Sequence, residues 1–176
     1  VQTALFNNLA VKKEVFSQVG GIPENYFAAD DLLFTYKVGK KGRIFWDKNN
    51  GVYHHFRNSL FAYLKQQLNY ATDGVLISLE NPKFITAPTH LGSLPWLQPL
   101  LGLLLFFGWL IDWRAEIGLL ILTILINLPF LFFLARKMRD RGVIFLLPFY
   151  ILLRNLAWGA GLIKGGFLAI GRFLRR

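Results

Sequence analysis

Cysteine is absent from all 176 residues, which excludes disulfides and thiolate metal centres and leaves the redox compartment undetermined. Acidic residues are scarce: 10 Asp and Glu stand against 20 Lys and Arg, for a formal net charge of +10. There is no leader pattern either. The chain opens Val1-Gln2-Thr3 without a methionine or a basic-then-apolar stretch, so it is expected to begin inside a longer protein. Basic patches interleaved with stacking aromatics in a polar setting are also missing. The positive excess therefore points to anionic lipid, and no nucleic-acid partner is expected. What is plentiful is apolar surface: 54% of residues are hydrophobic and 16% aromatic, too much for a soluble domain.

That apolar excess is unevenly spread. Residues 1–80 read as a soluble domain, 81–93 as a Pro-punctuated interfacial linker, 94–141 as a transmembrane hairpin and 142–176 as an amphipathic, re-entrant or third membrane helix. Leu94 to Ile111 and Ile117 to Ala135 carry no charge, and each is about one span long, with Trp96, Trp109 and Trp113 at interface depth. The basic cluster Arg136 to Arg141 should lie on the cytoplasmic side, which puts the first 80 residues there too and makes this an integral protein of the cytoplasmic membrane. In the last segment, Arg154, Lys164, Arg172, Arg175 and Arg176 share about a third of the helix circumference. That pattern suits a helix lying in the interface, with a third crossing as the alternative.

Within the first 80 residues, Lys12 to Val19 has helical spacing and ends at Gly20-Gly21. A second helix is predicted from Asp30 to about Lys41, with two carboxylates in its first turn and lysines in its last. Neighbours on a helix point roughly 100° apart, so only one carboxylate of the pair can project far into a cleft; the plainer alternative is that Asp30-Asp31 only caps the helix. Arg43 to Asp47 and Val52 to His55 read as short strands around the turn Lys48 to Gly51. Asn58 or Ser59 caps a third helix, on which Gln66, Asn69, Tyr70 and Asp73 form a polar stripe opposite Leu60, Leu64 and Leu68.

Taken in order, Asn8 to Phe16, Val19-Gly20-Gly21, Ala29-Asp30-Asp31, Lys40-Lys41-Gly42, Val52 to His55 and Lys65 to Tyr70 resemble the C-terminal half of a family-2, GT-A-type glycosyltransferase. The resemblance implies an α/β fold, as a partial catalytic domain, followed by an α-helical membrane region. It also implies transfer from a nucleotide-sugar donor to a lipid-linked or cell-envelope glycan acceptor, with inversion. Asp31 takes the position of the base that deprotonates the acceptor hydroxyl, and Asp30 that of its supporting acid. An inverting transfer needs one such carboxylate opposite the leaving diphosphate. His54 matches a histidine that contacts the divalent metal (Mg2+ or Mn2+) or the diphosphate. Gln66, Asn69 and Tyr70 match a Gln-x-x-Arg-Trp signature at the diphosphate or acceptor wall, with Asn for Arg and Tyr for Trp. Losing the Arg removes a cation suited to diphosphate. No Asp-x-Asp occurs, so the metal-binding and donor-binding half is expected upstream of Val1. A non-catalytic membrane adaptor is the competing reading.

Overall fold

The computed structural model of the protein describes residues 8–45, 47, 49–55, 57–82, 97–110, 112–137 and 142–175. These form helices α1 (Lys13–Gln18), α2 (Asp30–Gly39), α3 (Leu60–Glu80), α4 (Leu97–Phe107), α5 (Trp113–Lys137) and α6 (Leu147–Phe173). Short 3-10 turns, Gly108–Leu110 and Gly142–Leu146, lead into α5 and α6.

Local signals account for the helix ends. Gly20 and Gly21 adopt φ of +80° and +72°, the left-handed region that lacks a penalty only without a Cβ, and the Gly21 amide closes α1 by donating to the Phe16 carbonyl at 3.0 Å. The Ser59 hydroxyl accepts from the Ala62 amide at 3.2 Å and so starts α3. That helix then continues through Leu76 to Leu79 and ends at Glu80. Leu32, Leu33, Phe34 and Thr35 of α2 are buried, and the leucines pack with Ala29 and with Ile77 of α3.

The expected α/β class is not what the chain adopts. Among the described residues there is no strand; the fold is all-helical. The two predicted strands flank a turn in which the Asn50 amide donates to the Asp47 carbonyl, but Phe45 and Tyr53 stand 85% and 105% exposed and no strand lies beside them among the described residues. A lone pair of short extended segments with no apolar surface to cover is at best marginal as a hairpin, so strand propensity goes unrealised. Trp46, between Arg43 and Asp47, and most of the expected linker and the basic cluster from residue 138 lie outside the described residues.

Helix α6 is the spine. Gln67 meets Trp158, Thr72 meets Gly161 and Glu80 meets Arg172, so α3 and α6 run parallel. They approach closely because Gly161 and Gly165 present no side chain to α3: a Cβ on Gly161 would overlap the Leu68 carbonyl and the Ala71 methyl. On another face, Gly159 lies against the backbone of Gly102 in α4, where a Cβ from either would collide with main-chain atoms. This small-residue stripe, four apart at 161 and 165, lets backbones meet where apolar burial alone gives helices little reason to associate. Leu131 of α5 packs on Leu147 and Ile151, near the start of α6.

Two stretches, Trp113–Phe133 and Ile144–Phe173, are long and apolar enough to cross a membrane. The run expected as a first span is represented by α4, whose 11 residues reach about 16 Å, roughly half of a hydrocarbon core.

Gly159→Ala drives a methyl into the α4 backbone, which cannot rotate away, and should destabilise by about 1–3 kcal/mol. Gly166, on the same helix with open space around it, should gain about 0.5–1 kcal/mol as alanine. Thermal unfolding in detergent, followed by circular dichroism, checks the pair; equal shifts would contradict the close α4–α6 approach.

Candidate functional site

The position of the acidic pair is set from α3. Asp73 is fully buried, and its carboxylate accepts from three successive amides just ahead of α2: Phe27 at 2.8 and 3.0 Å, Ala28 at 2.6 Å and Ala29 at 2.9 Å. The carboxylate completes amides that the start of a helix leaves without partners, and its charge complements the helix dipole. Since Ala29 offers no capping side chain of its own, Asp73 performs that role from across the interface. Asp30 and Asp31 therefore enter α2 at a fixed point beside α3.

Asp31 lies on a cleft of about 840 Å³ between α2, the 54–59 segment, α3 and the start of α6. His54, Gln66 and Tyr70 line the same cleft. Asp30 and Asn69 do not. Asp30 stays in the first turn of α2, and Asn69 accepts a bond from Lys164 of α6 at 3.4 Å. The polar stripe of α3 is thus divided between the cleft (Gln66, Tyr70), α6 (Asn69) and α2 (Asp73).

Four lining residues had not been singled out: Arg57, Tyr63, Gln67 and Tyr150. Tyr63, Gln66, Gln67 and Tyr70 recur at three- and four-residue intervals, a signal that the sequence did carry. The tyrosine of α6 had none. The rings of Tyr63 and Tyr150 stack with centroids 4.9 Å apart, and the Trp158 indole donates to the Gln67 side chain at 3.0 Å, so α6 supplies part of the cleft wall.

Three residues of the predicted basic stripe, Arg154, Lys164 and Arg172, contact protein, whereas Arg175 is exposed and Arg176 lies outside the described residues. Lys164 also sits 4.3 Å over the Phe27 ring, Arg172 pairs with Glu80 at 3.0 Å and reaches the Asn25 carbonyl at 3.1 Å, and Arg154 donates to Asn127 of α5 at 3.0 Å. Opposite them, Phe167, Ile170 and Phe173 are exposed. Glu80 also accepts from the Tyr26 hydroxyl at 2.6 Å; burial first, and then this bond and the carboxylate charge, push Tyr26 well above the usual tyrosine range.

Tyr70, on the cleft wall, has a raised proton affinity. Burial raises it, the Asp31 carboxylate raises it further, and a hydrogen bond with Gln66 and the Arg57 charge pull the other way. As for metal, no group of three or more His, Asp or Glu converges among the described residues.

Replacing Asp73 with alanine leaves three buried or half-buried amides unsatisfied, at a cost of about 2–4 kcal/mol. Hydrogen exchange at Ala28 and Ala29 should accelerate by at least tenfold, with the amides of α5 unchanged; unaltered protection would show that the turn is held by something else.

Because Asp31 disfavours the Tyr70 phenolate, Asp31→Asn should lower the Tyr70 pKa part of the way to its ordinary value, as read from the NMR shift of its ring carbons. The sign for stability follows: a proton held more tightly in the folded state stabilises it below about pH 10, and that contribution fades as pH rises through the raised folded value.

Set beside known proteins, the chain matches no family model, no curated protein and no solved structure, so a function has to rest on the chemistry of the cleft itself.

Proposed function

We propose that this chain is the helical, acceptor-side part of a membrane-associated glycosyltransferase similar to family-2 enzymes, moving a sugar from a nucleotide-sugar to a lipid-linked or cell-envelope glycan acceptor. The observation that supports this reading is that Asp31, His54, Gln66 and Tyr70, from three separate stretches of sequence, border one cleft. Its volume, about 840 Å³, is of the size that takes small molecules.

In this reading the Asp31 carboxylate removes the acceptor hydroxyl proton. The acceptor oxygen bonds to the anomeric carbon as the bond from that carbon to the diphosphate oxygen breaks, and the nucleotide diphosphate leaves with the electron pair. Gln66 and Tyr70 orient the acceptor through an amide and a hydroxyl, and the His54 imidazole contacts the departing diphosphate. Asp30 supports the turn that carries Asp31. Asn69 helps to hold α6 against α3 through Lys164.

Anchoring falls to α5 and α6 in the cytoplasmic membrane. Tyr150 of the cleft is in the first turn of α6, and Leu131, near the basic end of α5, packs against Leu147 beside it. In this reading the Tyr150 side of the cleft lies toward the end of α5 that carries Arg136, the end expected to be cytoplasmic, where nucleotide-sugars are found.

Asp31→Asn in the full-length protein should lower the transfer rate by about 10²–10⁴ while leaving nucleotide-sugar binding nearly intact. Asp30→Asn should have a smaller effect. A rate within about threefold of wild type for Asp31→Asn would remove Asp31 as the base.

A further inference from the structure

Arg154 is buried to 9% exposure in α6, one of the two helices apolar enough to cross a membrane, yet no carboxylate pairs with it among the described residues. Its partners are neutral: the Asn127 amide oxygen at 3.0 Å, the Trp158 ring at 4.7 Å and the Phe130 ring at 5.4 Å. The Nε has no hydrogen-bond partner. A guanidinium taken out of water is costly unless an anion balances it, and intramembrane charges of this kind mark ligand sites more often than scaffolding.

The anion has a place to sit. Tyr150 stands one helical turn before Arg154 on the same face of α6, and its ring stacks on that of Tyr63; both tyrosines are wall residues of the Asp31 cleft. Arg57, exposed on the cleft, supplies a second guanidinium. A tyrosine hydroxyl that can donate, with one arginine a helical turn away on α6 and another on the rim, suits the oxygens of a phosphate. Tyr150 and Arg154 belong to a candidate spanning helix, so the phosphate most easily delivered to this wall is one carried on an apolar tail.

We propose that the cleft binds the phosphate group of an amphiphile, received by the Tyr63–Tyr150 wall with Arg154 and Arg57 as its counter-charges. This rests on the glycosyltransferase reading only in naming its acceptor class; the binding itself stands apart from transfer.

The test is binding of radiolabelled dodecyl phosphate to the full chain in phosphatidylcholine nanodiscs. Saturable binding is expected, with dodecanol competing at least tenfold less well than unlabelled dodecyl phosphate. Arg57→Gln, at an exposed position, should weaken binding by about fivefold, and Arg154→Gln by tenfold or more, with Arg154→Lys between wild type and Arg154→Gln. Equal competition by dodecanol would overturn the proposal, as would wild-type binding in both glutamine variants. Equal competition by inorganic phosphate or uridine diphosphate would overturn the amphiphile assignment and give the site to free phosphate or to the donor. If Arg154→Gln loses its helical circular dichroism signal, Arg57→Gln and Tyr63→Phe decide the outcome alone. Because no sugar transfer is read, selective binding by this chain together with absence of transfer by the full-length protein, donor half included, would sink the enzymatic reading and leave this site standing. Transfer that depends on Asp31, with no preference for the phosphate, would do the reverse.

Discussion

One buried carboxylate organises the part of the molecule that matters most. Asp73 has no contact with solvent and directs both oxygens at the amides of Phe27, Ala28 and Ala29. Without it, α2 would begin with a bare alanine cap and nothing to fix its first turn against α3. With it, the acidic pair, the Tyr70 ring and the core of Ala29, Leu33 and Ile77 become one rigid corner. The ionised side chain is tolerated in the interior because three charge-assisted bonds replace its hydration.

That corner is joined to the apolar helices through glycine. Gly161 and Gly165 bring α6 to backbone contact with α3, and Gly159 does the same for α4. Around this seam the cationic side chains of α6 find protein partners: Arg172 with Glu80, Lys164 with Asn69, Arg154 with Asn127. The exposed apolar face, with Phe167, Ile170 and Phe173, is left on the far side. A basic stripe against an apolar face therefore does not by itself mark an interfacial helix, because the same pattern arises wherever one face packs on a polar partner.

The helices were largely legible in the sequence, because their signals are local. The Gly20-Gly21 stop, the Asp30-Asp31 first turn and the Ser59 cap act within a few residues of themselves. The strands were misread because a strand needs a partner, and propensity over five residues says nothing about whether a sheet exists to receive them. The cleft was legible only in part. Asp31, His54, Gln66 and Tyr70 come together, but periodicity on α3 does not reveal which of two neighbours a side chain meets, and Asn69 turns toward Lys164. Tyr150 was out of reach, since its role depends on the parallel docking of α3 and α6 across about ninety residues.

That parallel docking also fixes an order in time. The bonds that dock α6 on α3, Gln67 to Trp158 and Thr72 to Gly161, close loops of 91 and 89 residues, and the Arg172 contact with Asn25 closes one of 147. A ribosome delivers α2 and α3 long before it delivers α6, so the nascent chain carries its acidic pair with one wall of the cleft missing. The cleft is completed only when the last described helix has emerged and settled against its neighbours. A polypeptide arrested or clipped before Leu147 would keep the carboxylates and lack the wall that Tyr150 supplies.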